Sequence, residues 1–109
     1  NKAPTANGYV YQIGYANVSN FGQTYMLGKV LEAGEYEQVV QGRYNKIVND
    51  AIYVLGNGTS TNKKNALVIK KSNDNAMFAG DIYSKEQKMA SEKYVEEKVA
   101  ALVNSAPDA

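Results

Sequence analysis

The chain lacks cysteine, histidine and tryptophan, and these absences remove several kinds of chemistry. Without cysteine there is no disulfide and no thiol nucleophile. Without histidine as well, zinc sites of the usual kind and imidazole-based acid–base catalysis are excluded. We therefore expect a protein that is not an enzyme and that has no catalytic residue, no cofactor and no metal site.

Strong net charge and long apolar runs are missing too. The 12 basic and 11 acidic residues nearly cancel and leave a net charge of +1. This balance gives no electrostatic reason to bind nucleic acid or an anionic membrane surface. No stretch approaches the roughly 18 apolar residues that suggest a membrane-spanning helix. We expect no nucleic-acid partner and no insertion into a membrane.

Tyrosine and glycine are abundant, and together they mark a repeat. The chain has nine of each, which favours strands joined by many turns. The motifs "YQIG", "YMLG" and "YVLG" recur, and a fifth row, "ALVIK" at 66–70, keeps the apolar pattern but has Lys70 in the glycine position. A fixed period predicts a stacked, solenoid-like architecture. The glycines that recur every 14 residues are Gly14, Gly28, Gly42 and Gly56.

Fourteen residues fit a β-coil of two strands and two turns, since strands have about 5 residues and turns about 2 to 4. Helical repeats are longer, about 33 residues or more. At the glycines, which we assign to the repeat turn, we expect a positive φ or a close approach of neighbouring backbone. Residues 9–70 are thus predicted to form a parallel β-roll, after a flexible lead-in at residues 1–8.

Both faces of the predicted strand are mostly apolar. Side chains alternate between the faces of a strand, and a thin coil buries only one face within itself. We therefore expect a second copy of the chain to cover the other face. An ordinary β-sandwich is the alternative, although it does not require a constant period. The column assigned to the core of the oligomer comprises Tyr11, Ile13, Tyr25, Leu27, Val39, Tyr53, Leu55, Leu67 and Ile69.

The end of the chain has a different character. "NALVIKK" and "AMFAGDIY" flank the polar turn "SNDN", which predicts a closing strand and hairpin over residues 66–83. Residues 84–109 are predicted to form a helical coiled-coil connector, with Ser84 and Gln87 as a capping box and Ser91 as a second N-cap candidate. The alternative is a helix that docks on its own domain. The seam, with the 4-3-4 spacing of a short coiled coil, comprises Val95, Val99, Leu102 and Ala106.

These segments resemble two families. A 14-residue coil whose strand ends in glycine is similar to the left-handed parallel β-roll head of YadA-like trimeric adhesins. The stretch "GNGTSTNKKNALVIKKSNDNAMFAGDIYS" is more similar to bacteriophage and prophage fibre proteins, and "ASEKYVEEKVAALVNSAPDA" to the helical connectors of tail and head fibres. The resemblance implies a mostly β homotrimer with a C-terminal helix.

The resemblance also implies a function and a location. It points to a structural module of a phage tail fibre or head fibre on the virion exterior, in contact with other virion proteins. A host cell-surface glycan or protein is a further candidate partner. The alternative is the head fragment of a trimeric adhesin on a bacterial cell surface.

Three other features have weaker functional interpretations. "GNGTSTNKK" lacks the spacing of a phosphate-binding loop and is interpreted as a turn. Glu35 and Glu37, placed on one strand face near Glu32, would suit a glycan-cleaving spike domain, and a polar turn is the competing interpretation. Four tyrosines outside the strand column are candidates for contacts with sugars or proteins: Tyr9, Tyr15, Tyr36 and Tyr44.

Overall fold

A computed structural model of the protein describes residues 9–105. The chain is mostly β, with a solenoid-like sheet of about three turns and one C-terminal helix. The overall extents are 74 × 27 × 26 Å, so the molecule is a rod. Its elements are β1 (Val10–Tyr15), β2 (Thr24–Lys29), β3 (Val39–Arg43), β4 (Ala51–Asn57), β5 (Asn65–Lys70), β6 (Ala76–Phe78), β7 (Tyr83–Ser84), β8 (Gln87–Lys88) and α1 (Glu92–Ser105).

The first six strands form one sheet in chain order, and its first four strands are parallel. Each parallel partner lies 14 residues further along the chain: Tyr11 is opposite Tyr25, Tyr25 opposite Val39, and Val39 opposite Tyr53. The rows read from the sequence are therefore neighbouring strands in register. Side chains of equal position form columns that run along the stack.

The repeated glycines lie inside the strands, at the second-last position of each, and not in the turn to which the sequence pattern assigned them. Gly14, Gly28 and Gly42 have φ values of +131°, +149° and +98°. The chain turns its corner two residues later, at Ala16, Val30 and Tyr44, which all adopt left-handed φ values between 42° and 56°. The second corner of the coil uses Gln23, Glu37 and Asp50 in the same way.

The core lies inside the coils and combines apolar and polar side chains. Met26, Val40 and Val54 form its central column, and Leu31, Ala33 and Ala51 complete it. The two-strand coil predicted from the sequence is not found. The segments that connect one parallel strand to the next, which we call the return segments, make only one isolated bridge, between Val18 and Glu32. Buried polar side chains bond the backbone there instead. They are Asn17, Ser19, Thr24, Gln38 and Asn45.

The fifth row does not continue the parallel stack. Strand β5 runs antiparallel to β4, with Ile69 opposite Tyr53 and Leu67 opposite Leu55. Strand β6 then pairs antiparallel with β5 around the turn at 71–75, which is the hairpin expected at "SNDN". The hairpin is tied back to the preceding corner, since Ser72 donates to the Asp50 carboxylate through both its backbone N–H and its hydroxyl. Val68 still points inward and packs on the core.

The helix begins later than the capping pattern at Ser84 predicted. Residues 83–88 form a small hairpin of β7 and β8, whose turn residues Lys85 and Glu86 both have positive φ. Ser91 is the N-cap, with its Oγ accepting a hydrogen bond from Tyr94 N at 3.1 Å. A left-handed pair at 85–86 suits a two-residue hairpin and cannot continue a right-handed helix.

Two parts of the sequence-based interpretation lie outside the described residues. They are the lead-in at residues 1–8 and the last seam position, Ala106.

Candidate interaction surfaces

The sheet presents one apolar face to solvent, which we call the outer face. It consists of the column that alternates with the buried one, from Tyr11 and Ile13 on β1 to Leu67 and Ile69 on β5. Ile13 is 68% exposed, Tyr25 48% and Leu27 50%. The corresponding side chains on β3, β4 and β5 are half-buried. The column chosen from the sequence as an oligomer core is thus exposed on β1 and β2 and half-buried on β3 to β5 in the single chain.

The outer face is ordered by contacts along the stack. The rings of Tyr11 and Tyr25 lie parallel, with centroids 5.1 Å apart and an interplanar angle of 3°. Further along, Tyr53 donates its hydroxyl proton to Gln41 Oε1 at 2.7 Å. A shallow apolar hollow lies between the first three strands, lined mainly by Tyr11, Leu27 and Val39. Aromatic and aliphatic side chains are therefore held in fixed positions on a surface that faces water.

Helix α1 presents a second uncovered apolar surface. Among the described residues it makes no contact with any other element, and none of its residues is buried. The seam residues Val95 and Val99 are about half exposed, and Leu102 is 71% exposed. An isolated helix of fewer than about 12–15 residues is marginal in water, and α1 has 14. The alternative in which the helix docks on its own domain is not what the structure has.

The exposure of these surfaces is informative. The outer-face apolar side chains that neighbour one another on β1 and β2 are all about half exposed or more, and a contiguous exposed apolar patch marks an interaction site. These are the surfaces on which a partner would be accommodated.

Polar residues border the outer face. They were not among the residues that the sequence assigned to the core of the oligomer. The last residues of β1 to β4 form one border: Tyr15, Lys29, Arg43 and Asn57. Lys29 and Arg43 are direct neighbours in register, and both are exposed. The opposite border includes Gln23 and Glu37, at the corners that precede β2 and β3. The signal for these residues was present in the sequence, at a fixed offset from the glycine column.

The glutamates considered for glycan cleavage do not share a strand face, because Glu35 and Glu37 lie on the connection between β2 and β3. Glu35 Oε1 accepts a hydrogen bond from Ala51 N at 2.8 Å and lies 3.7 Å from Lys71 Nζ. Glu35 therefore fastens two coils and the closing hairpin together. Glu37 is exposed; its backbone N–H donates to Gly22 O at 3.5 Å, but its side chain has no hydrogen-bond or ion-pair partner among the described residues.

The four tyrosines outside the strand column occupy different environments. Tyr9 and Tyr15 are strongly exposed at the β1 end of the stack. Tyr36 is exposed but packs edge-on against Phe21, with ring centroids 5.2 Å apart. Tyr44 is half-buried, and Lys29 Nζ lies 5.7 Å from the centroid of its ring. The structure does not bring them together into one site.

Residues 9–105 contain no group of three or more acidic residues positioned to hold a metal ion. Within the same range, no helix is both long and apolar enough to cross a membrane. No known protein family, no curated protein and no solved structure matches the chain.

Proposed function

We propose that the chain is a structural module of a homotrimeric phage virion fibre, of the tail or of the head. In this proposal the sheet is a left-handed parallel β-roll of 14-residue coils, closed by the β5–β6 hairpin and followed by a short three-stranded coiled coil. The module supplies shaft length and trimerisation. Contact with a host glycan or protein is an additional role.

One observation carries the proposal: a single chain leaves two apolar surfaces uncovered, one on the sheet and one on the helix. They differ in secondary structure, yet each needs a partner. Copies of the same chain around one axis would cover both at once, because each copy brings the same face and the same seam to that axis. No other occupant explains both surfaces with one chemistry.

The shape supports a spacing role. The stack of six strands is roughly 25 Å tall at about 4.8 Å per strand, and a 14-residue helix adds about 21 Å. The whole is 74 Å long and 27 Å wide. Three such rods side by side would make a stiff segment of a fibre, which suits a shaft.

The oligomeric part of the proposal is tested by light scattering on the purified chain over a dilution series. We expect a constant mass three times that of the chain at concentrations above the trimer–monomer midpoint. Leu27→Asp is expected to give a folded monomer, because Leu27 is half exposed in the single chain and its loss removes no core contact. Ile47→Asp is the matched control, since Ile47 is similarly exposed but lies away from the outer face. A wild-type chain that stays monomeric would contradict the proposal.

The virion part is tested by electron microscopy with an antibody against the chain. Particles released from the source bacterium after prophage induction should carry the label on a fibre. Label on the surface of uninduced cells, with none on particles, would instead support a bacterial trimeric adhesin.

A further inference from the structure

The borders of the outer face carry charged side chains that form no ion pair within the described part of the single chain. Lys29 and Arg43 are lateral neighbours at the ends of β2 and β3, and like charges directly opposite each other destabilise a sheet. Neither side chain forms an ion pair among the described residues. Lys29 is compensated in part by the Tyr44 ring, whose centroid lies 5.7 Å from its Nζ, whereas the Arg43 side chain has no such contact among the described residues.

An uncompensated acid lies on the opposite border, at the same level of the stack. Glu37 precedes β3 by two residues and occupies a left-handed corner with φ of 58°. It lines an open hollow of about 440 Å³, together with Tyr9, Tyr25 and Val39. Glu37 and Arg43 are six residue steps apart, roughly 20 Å of extended chain, so the two side chains of one copy cannot meet.

The geometry of a closed trimer brings these borders together. If three outer faces point at an axis parallel to the stack, the strands of the three copies run around that axis in the same sense. The end of each strand then meets the start of the equivalent strand in the next copy, which is a heterologous contact. Rotational symmetry keeps equivalent residues of the three copies at the same height along the axis. Arg43 at the end of β3 in one copy therefore faces Glu37, just before β3 in the next copy, with no shift along the axis.

We infer that Arg43 of one copy pairs with Glu37 of the next and thereby fixes the rotational order and axial register of the trimer. This inference rests on the proposed function, because it requires the outer faces to point at a common axis. The neighbouring levels are compatible with it. At β2 the polar Gln23 would meet Lys29, and at β4 Asn57 would meet the region of Lys70, which lies opposite Ala51. At the end of the sheet, β5 places Lys64 on the border of Asn57 and Lys70 on the border of Ala51, so this level supplies no attractive pair and the register depends on Arg43 and Glu37.

Disulfide trapping tests the contact directly, because the chain has no native cysteine. In the double variant Glu37→Cys/Arg43→Cys, the two sulfurs of one copy are too far apart to bond, since a disulfide needs Cα atoms within about 7 Å. Oxidation should therefore give covalent trimers on a denaturing gel, converted to single chains by reductant. The matched control, Glu37→Cys/Lys63→Cys, places its second thiol on the exposed loop between β4 and β5 and should remain uncrosslinked.

A charge-reversal set gives an independent readout. Arg43→Glu or Glu37→Arg alone should shift the trimer–monomer midpoint to at least about tenfold higher concentration, since three like-charge contacts replace three attractive ones. The combined variant, Glu37→Arg/Arg43→Glu, should restore the midpoint. Lys63→Glu, with the same change of net charge as Arg43→Glu, should leave it unchanged.

The possible failures are distinguishable. A stable trimer whose cysteine pair does not crosslink, or whose combined reversal gives no rescue, would overturn the Arg43–Glu37 contact and leave the trimer standing. A wild-type monomer or dimer by light scattering would overturn both the contact and the proposed function.

Discussion

Gly28 lies so close to the next coil that a Cβ built on it would be 1.8 Å from the carbonyl oxygen of Gly42. The same distance separates a Cβ on Gly14 from the Gly28 carbonyl oxygen. Glycine is therefore required at these two positions for two reasons. The φ values suit glycine, and the stacking of one backbone on the next leaves no room for a methyl group. A backbone carbonyl cannot move aside as a flexible side chain can.

Replacing Gly28 with alanine should therefore destabilise the sheet by about 3 kcal/mol or more, through steric overlap and backbone strain. The measurement is the urea midpoint of the β signal in circular dichroism. Gly80→Ala is the matched control, because nothing lies within 4 Å of a Cβ added there. Its midpoint should hardly move, and an equally small change for Gly28→Ala would contradict the close stacking of coils.

The Gln38 side chain makes three hydrogen bonds to the backbone in the core. Its Oε1 accepts from Gly34 N at 2.9 Å, and its Nε2 donates to Val48 O at 2.9 Å and to Ala51 O at 3.0 Å. Both the oxygen and the nitrogen of the Gln38 amide are therefore satisfied by the backbone. Gln38 supplies pairing that a second strand would otherwise provide.

Gln38→Leu keeps the side-chain volume but leaves three buried backbone groups without partners. We expect a loss of about 2–4 kcal/mol in the free energy of unfolding, measured by urea denaturation. Gln87→Leu, on the exposed strand β8, should change it by less than about 0.5 kcal/mol. A Gln38→Leu protein as stable as the wild type would mean that the return segment is held by other contacts.

Lys71 joins the closing hairpin to the second coil. Its ammonium group donates to Tyr36 O and lies 3.7 Å from Glu35 Oε1, with both side chains about 30% exposed or less. Lys71→Met retains most of the stem and removes the charge, so the unfolding free energy should fall by about 1 kcal/mol at low salt and by less at high salt. Lys70→Met, which removes no ion pair, serves as the control in the same salt series. A loss independent of salt would argue against an electrostatic contribution.

The sequence predicted the stack because the 14-residue spacing of glycine has a simple physical cause, namely the stacking of one backbone on the next. It could not predict the direction of β5. In "LVI" the first and last side chains point to the outer face and the middle one points to the core. Reversing the strand leaves this alternation unchanged, so Val68 reaches the core whether β5 runs parallel or antiparallel to β4. The direction of β5 is decided only by the loop between β4 and β5 and by the pairing of β5 with β6.

The return half of the coil was less predictable for a different reason. A buried Asn17 or Asn45 is indistinguishable in the sequence from an exposed turn residue, since both are polar and both follow a glycine. Asn17 Oδ1 accepts from Leu31 N at 3.1 Å, and Asn45 Oδ1 accepts from Glu32 N at 2.8 Å. These bonds appear only once the coils are stacked. Among the described residues, no buried side-chain polar atom is left without a partner.

Helix α1 should form only in the assembled protein, because alone it is a marginal helix without any packed face. On dilution below the trimer–monomer midpoint, the circular dichroism signal at 222 nm should lose its helical part while the β signal remains. Val99→Asp should shift this loss to at least about tenfold higher concentration by placing a charge in the seam. Ala101→Asp carries the larger penalty in helix propensity but lies off the seam, so its dilution profile should stay close to that of the wild type. A helical signal that survives dilution unchanged would mean that the helix is stable without a partner, and the seam would then lose its role in assembly.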